Sequence, residues 1–292
     1  MDPRPEEIRV WEVAMQGHYN RMATLALVIW EYLITVEDER VLFWKRHPWT
    51  FATFLFLWCR YIGILLALWG LFVAVTPGLT DSVSTSWLRA EGWIGMSVIW
   101  STQAILQLRI YALYEGSPKI AALISTLFLM EVVSIISMFA FASVEGQVVA
   151  EAMHDMVRCK VTAVPSWIWL FWITMTSFEL LLCILALYKG CQRVYLRRQF
   201  PDHRVLQDIL IRDSVIFYVA IQGIYLFNLA CWIRDTKDSL DVLTGLAVAL
   251  PSVMGGRLMI NVRRAMPDTE LPLSPSDISG ELSLSHFGCP DQ

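Results

Sequence analysis

The chain predicts an all-α, multi-pass transmembrane bundle of about seven helices, on three observations. Hydrophobic residues make up 56% of the 292 positions and charged residues 17%, against about 25% charge in an ordinary soluble domain. The apolar residues gather into seven runs, each close to the roughly 20 residues that a helix needs to cross about 30 Å of hydrocarbon. Inside the runs the pattern is continuous, whereas barrel strands alternate. Leu65–Val75 and Leu123–Ala142 are apolar almost all round, unlike the helices of a soluble bundle, which keep one wet face.

The runs are 19–36, 50–75, 92–114, 119–142, 166–188, 209–233 and 241–262. The first is the shortest and carries Glu31. Before it lies a polar, acidic segment, 1–18, without the basic region and immediate apolar run of a cleavable signal. The second follows Trp49-Thr50 and carries Arg60; the third ends at Arg109-Ile110-Tyr111. The fourth holds Glu131 and the fifth Glu179. Asp202, after Pro201, is placed to cap the sixth, and the seventh holds Pro251. The tail, 265–292, is rich in Pro and Ser and poor in large apolar residues, so disorder is expected there. The layout is thus an extracytoplasmic segment 1–18, a seven-helix domain 19–264 and a cytoplasmic tail.

Basic residues set the direction. Taking the loops alternately, fourteen of the 23 Lys and Arg fall on one side and eight on the other, with Arg60 inside a span. Cytoplasmic loops carry the excess, so the N-terminus is expected outside and the C-terminus inside. Loop 189–212 supplies most of the margin. Its Arg193, Arg197 and Arg198 are candidate contacts for anionic lipid, at about 1 kcal/mol per cation near the surface, or for a cytoplasmic protein. Arg109, Tyr111 and Arg257 are candidate contacts at the same face. Arg109 is expected to snorkel, anchored by an interfacial Tyr111. The triplet differs from the acidic-Arg-aromatic element of G-protein-coupled receptors, because Leu108 stands in the acidic position.

Four ionisable residues lie well inside spans: Glu31, Arg60, Glu131 and Glu179. Each costs at least about 2.5–3.5 kcal/mol at mid-bilayer, so each is expected to face the interior and find a partner. At 1.5 Å per residue, Glu31 is roughly 9 Å and Arg60 roughly 15 Å from the inner boundary. A Glu31–Arg60 pair is expected, with Glu179 the competing partner. Glu131 lies deeper and has no charged partner in the sequence pattern. The cluster reads either as ion pairing that fixes helix packing or as a site that binds a cation or relays protons.

Other features exclude more than they identify. All five His lie outside the spans, which argues against intramembrane haem, a His-based zinc hydrolase and a Ser-His protease. No Lys lies inside a run beyond Lys119 at the edge of the fourth, and the seventh has none, so a retinal Schiff base in the seventh helix is excluded. No phosphate-binding fingerprint occurs, and a net charge of −4 gives nucleic acid no support. No cofactor and no enzymatic activity is expected. Of six cysteines, Cys59, Cys183 and Cys231 lie in spans, Cys191 is open to acylation just inside the membrane, and Cys159 alone falls on the outer side, as a free thiol. The Trp residues at run ends, among them Trp44, Trp93, Trp169 and Trp172, fit an interfacial aromatic belt.

The stretch Trp30-Glu31-Tyr32, Glu37-Asp38-Glu39, Phe43-Trp44-Lys45, Trp49-Thr50-Phe51 and Trp58-Cys59-Arg60-Tyr61 resembles a fungal integral-membrane family known as domain of unknown function 6533, over about residues 19–66. Later segments are similar too, including Gln103–Tyr114, Phe178–Leu182 and Arg257–Arg263. The resemblance implies a seven-span membrane protein with no assigned activity. In relatives a Cys near the start of the third span could pair with the Cys159 position; here that region reads Thr85-Ser86-Trp87-Leu88. The function expected is receptor-like sensing or binding, of unknown ligand, with a small-solute or ion transporter as the alternative.

Overall fold

The computed structural model describes residues 5–45, 50–76, 81–145, 148–153, 156–161, 167, 169–199, 205–234 and 240–265. Helix α1 (Pro5–Glu39) continues into a π-helical turn, Arg40–Lys45. Helix α2 (Phe51–Leu57), a second π-helical turn (Trp58–Ile62) and α3 (Gly63–Val75) form one continuous rod. Then come α4 (Asp81–Leu113), α5 (Pro118–Glu145), α6 (Leu170–Gln199), α7 (Val205–Arg234) and α8 (Leu240–Ala265). Seven helical rods result. Between α5 and α6 an antiparallel hairpin, β1 (Val148–Met153) and β2 (Met156–Val161), packs against α3 and α4.

The rods outrun the apolar windows. α1 starts at Pro5 and α4 at Asp81, because a helix continues through its polar flanks until the backbone is stopped. Capping sets several ends. The Thr50 hydroxyl accepts from the Thr53 N–H at 3.3 Å and shares a hydrogen bond with the Thr53 hydroxyl, satisfying a donor at the start of α2. α4 ends where Glu115 (φ 57°) and Gly116 (φ 75°) turn left-handed, and the Gly116 N–H returns to the Tyr111 carbonyl, a helix-terminating turn. Pro118 opens α5, where a missing N–H is harmless. α6 runs past residue 188, so Lys189 is helical, with its ammonium 5.4 Å from the Tyr114 ring centroid.

Among the described residues four helices are long and apolar enough to cross a membrane, at Phe51–Val73, Pro118–Ala142, Leu170–Gln192 and Gly245–Arg264, and Val215–Ala230 is a shorter apolar stretch. The protein is a membrane protein of helical-bundle architecture. α1 and α4 are less apolar because they carry the polar groups of the interior, among them Glu31, Glu39, Thr102, Gln103 and Gln107, all buried. Consecutive rods run antiparallel and alternate rods parallel. α1 and α8 show this clearly: Glu31 meets Arg257 and Asp38 meets Arg264, while Gly245 sits beside Asn20 and Thr24. Numbers rise together along both helices, as first and seventh rods of an up-and-down bundle require.

Two cores hold the rods together. The larger lies among α4, α5, α6 and α7, around Leu106, Ile135, Met175, Leu182 and Ile221. The smaller joins the α1 π turn, α2, α4 and α8 around Phe43, Phe56, Cys59, Ile105 and Met259. There the Phe43 and Phe56 rings stack at 4.1 Å and the Arg263 guanidinium lies 4.0 Å from the Phe43 centroid. Outward, α5 exposes Leu129, Met130, Val133 and Phe141, an apolar face that lipid covers.

Candidate functional site

The buried polar groups separate into two sets. The first is a seam of ion pairs along α1. Arg60, in the π turn between α2 and α3, places Nε 2.6 Å from Glu39 Oε2, with side-chain exposures of 8% and 1%. Its N–H is not directed at that oxygen, so the pair is held by charge and proximity more than by a directed hydrogen bond. The other Glu39 oxygen accepts from the Tyr61 hydroxyl at 2.7 Å and from the Trp44 indole at 3.1 Å. Arg60 Nη2 donates to the Tyr32 carbonyl at 3.3 Å, and its guanidinium lies 5.0 Å from the Tyr32 ring centroid.

Arg60 therefore pairs with Glu39, and neither Glu31 nor Glu179 is its partner. The apolar run 19–36 stops short of Glu39. Continuation of α1 through Glu39 and the π turn keeps that carboxylate inside the bundle, level with Arg60. Glu31 instead receives both Nε and Nη2 of Arg257, each at 2.6 Å. Arg257, expected as a cytoplasmic-face contact, thus ties α8 to α1. Arg264 pairs with Asp38, and Arg263 donates to the Leu42 carbonyl at 2.7 Å and the Thr53 hydroxyl at 2.5 Å. At the opposite end of α1, Arg21 meets Glu91 of α4 at 3.0 Å.

The second set is a cluster of buried polar side chains inside the α4–α7 core, a chamber by its polar lining. Gln103 of α4 donates Nε2 to Glu131 Oε1 of α5 at 3.0 Å, and its amide also faces Glu179 of α6. The two carboxyls are within electrostatic reach of each other and of Tyr225; Glu179 also reaches Tyr218 and Cys183. Gln103 is fully buried, and Glu131, Glu179, Tyr218 and Tyr225 are each at most 4% exposed. Helical spacing sets their neighbours on the same faces: Gln107 with Gln103, Thr176 with Glu179, and Gln222 between Tyr218 and Tyr225. Trp172 packs edge-on against Tyr225 at 6.4 Å and is 4% exposed. It is an interior residue, not a member of the expected aromatic belt, because it lies on the chamber-facing stripe of α6.

Several chamber atoms have no hydrogen-bond partner: Gln103 Oε1, Glu131 Oε2, Glu179 Oε2, Gln222 Oε1 and Nε2, Thr176 Oγ1, Gln107 Nε2 and Asn228 Oδ1. Among the described residues neither carboxyl forms an ion pair, and no group of three His, Cys, Asp or Glu is arranged to hold a metal ion. Arg109, one helix face further along α4, donates instead to the Leu258 carbonyl of α8 at 2.8 Å. It is an internal tie, not a snorkelling side chain; Tyr111 is 41% exposed.

The sequence reading found both chamber carboxyls and overlooked Glu39, Gln103, Thr176, Gln222 and Tyr225. Their signal was present as polar residues at helical spacing within apolar runs. The side chains of Arg193, Arg197 and Arg198 lie outside the described residues, as do Cys159's side chain, Asp202 and the tail. Of the cysteines described, Cys59 and Cys183 are buried and Cys191 exposed, all free.

No curated protein matches the chain. The ion-pair seam from Glu31 through Glu39 to Arg60 lies within the matched stretch and the chamber outside it: residues 19–65, from α1 into the start of α3, match the family of unknown function DUF6533.

Proposed function

We propose that this is a receptor-like sensing or binding protein, without catalytic activity, that crosses the membrane seven times with its N-terminus outside and its C-terminus inside. Its ligand enters the chamber around Gln103, Glu131, Glu179 and Gln222. Occupancy is passed along α6 to the basic segment 189–212, which meets anionic lipid or a cytoplasmic partner through Arg193, Arg197 and Arg198. The observation that carries this reading is the division of labour among the buried polar groups. In the seam of α1, α2 and α8 each carboxylate has a counter-charge that braces the bundle, even where Glu39 Oε2 and Arg60 Nε lack a directed hydrogen bond, whereas Glu131 and Glu179 combine unmatched oxygens with no ion pair among the described residues. Buried polar groups normally find partners, so an unmatched set is a place for a ligand.

A transporter built from inverted repeats would make the first and fifth rods equivalent and put its site between the repeats. Glu31 and Glu179 would then occupy like environments. Glu31 is bidentate to Arg257, while Glu179 sits beside Gln103 without an ion pair, so the two are unlike. The test uses a fluorophore on Cys191 in a chain whose Cys159, Cys231 and Cys289 are Ser. Amines, amino acids and simple salts are titrated against it in proteoliposomes. Sensing gives a saturable change in fluorescence with no net uptake of the same solute. Saturable, protein-dependent uptake would establish transport instead.

A further inference from the structure

We propose that the chamber is a site for a small oxygen-seeking cation that exchanges with protons on Glu131 and Glu179; this deepens the binding reading above. The chamber's unmatched atoms are chiefly acceptors. Gln103 Oε1, Glu131 Oε2, Glu179 Oε2, Gln222 Oε1 and Asn228 Oδ1 are all buried oxygens without a donor. Gln103, Glu131 and Glu179 bring oxygens together from α4, α5 and α6, and Gln222 and Asn228 stand one helical turn either side of Tyr225 of α7, which lies within electrostatic reach of both carboxyls. Gln103 is the hinge of the arrangement. Its amide nitrogen donates to Glu131 and also lies within hydrogen-bonding range of Glu179, while its Oε1, on a fully buried side chain, has no partner. Hard cations take such carboxylate and carbonyl oxygens, and the set contains no His or Cys cluster that would favour a transition metal.

The charges around the pair point the same way. The other titratable groups facing it are Tyr218 and Tyr225 on α7, Cys183 on α6 and each carboxyl toward the other, all acidic or neutral. The one basic group in reach of this set among the described residues is Arg109 of α4, which donates Nη2 to the Leu258 carbonyl, lies within electrostatic reach of Tyr218 and forms an ion pair with neither carboxyl. Two carboxyls in a low-dielectric site cannot both stay ionised unpaired. They are neutralised by protons or by a cation, and the two compete. Since a cation must displace protons to bind carboxylates, its apparent affinity rises with pH.

The test measures thermal unfolding of the purified full chain in detergent, with NaCl, KCl, CaCl2 or choline chloride at equal ionic strength, between pH 5 and pH 9. A radiolabelled form of the active cation then gives equilibrium binding directly. The expected result is saturable stabilisation by one of the inorganic cations over choline. Its midpoint concentration should fall about tenfold per pH unit where one proton is displaced. Glu131→Gln and Glu179→Gln should each abolish the cation effect, while Glu31→Gln, which breaks the separate tie to Arg257, should lower the melting temperature and keep it. Gln222→Leu, which removes no charge, should weaken radiolabel binding even if the Glu variants fold poorly. Equal behaviour in all salts, or pH dependence without any cation effect, overturns the cation site. A Cys191 signal retained for an organic solute under those circumstances leaves the sensing reading standing.

Discussion

At the residue scale, what matters most is which carboxylate each buried arginine reaches. Removing one member of a buried pair typically costs about 3–5 kcal/mol, because the other charge is left uncompensated. Arg60→Leu should therefore destabilise strongly, and adding Glu39→Gln should recover part of the loss. Melting curves of the two single variants and the double variant in detergent give the coupling directly. Glu31→Gln should couple to Arg257→Gln and simply add to Arg60→Leu. Coupling between Arg60 and Glu31 would instead mean that α1 is rotated from the arrangement described. The chamber residues behave differently: Glu131→Gln leaves no basic partner stranded and should cost less than Arg60→Leu in the same assay.

At the element scale, the two π-helical turns flank the Glu39–Arg60 pair, one directly after Glu39 and one containing Arg60. A π turn widens the helix and re-aims its side chains, and such turns gather at sites where that is needed. Ser252 of α8 donates to the Cys59 carbonyl within the second turn at 2.9 Å, which pins it. Close helix approach has its own requirement at Gly92 of α4. A Cβ there would lie 2.4 Å from the Phe139 ring of α5. Gly92→Ala should cost about 1–3 kcal/mol through overpacking. Phe139→Leu in the same chain should relieve most of it, and thermal denaturation of the pair checks both statements. An additive loss would show that the strain lies elsewhere.

For the whole molecule, the parallel course of α1 and α8 puts the start of α1 and the end of α8 at opposite faces of a seven-rod bundle. With the Lys and Arg excess read as cytoplasmic, a tag at residue 1 should be open to protease added outside right-side-out sealed vesicles and a tag at residue 292 protected. Both tags on one face would break the seven-span arrangement. A membrane-impermeant thiol reagent should label Cys159 from outside intact cells, and label the exposed Cys191 only after permeabilisation. Labelling of Cys191 from outside would reverse the direction of every rod.

By itself the sequence determined the class, because the bilayer imposes one simple requirement: about 20 apolar residues for each helical crossing. The centres of all seven rods follow from it. So does the identity of Glu31, Arg60, Glu131 and Glu179 as interior groups, since an ionised side chain facing lipid is costly. Rod ends were not legible in the same way, because the apolar window of α1 or α4 marks the hydrocarbon and the helix continues beyond it. Nor were the partners. Glu31 and Glu179 were both within plausible reach of Arg60 along the chain, and Glu39, beyond the apolar run 19–36, stood outside that choice. The choice of Glu39 depended on α1 staying helical past residue 36 and on a π turn that no local pattern announced. Gln103, Gln222 and Tyr225 are ordinary residues one at a time. Only the packing of α4, α5, α6 and α7 against one another brings them to Glu131 and Glu179, because a contact between distant helices depends on rotation and register that no single helix encodes.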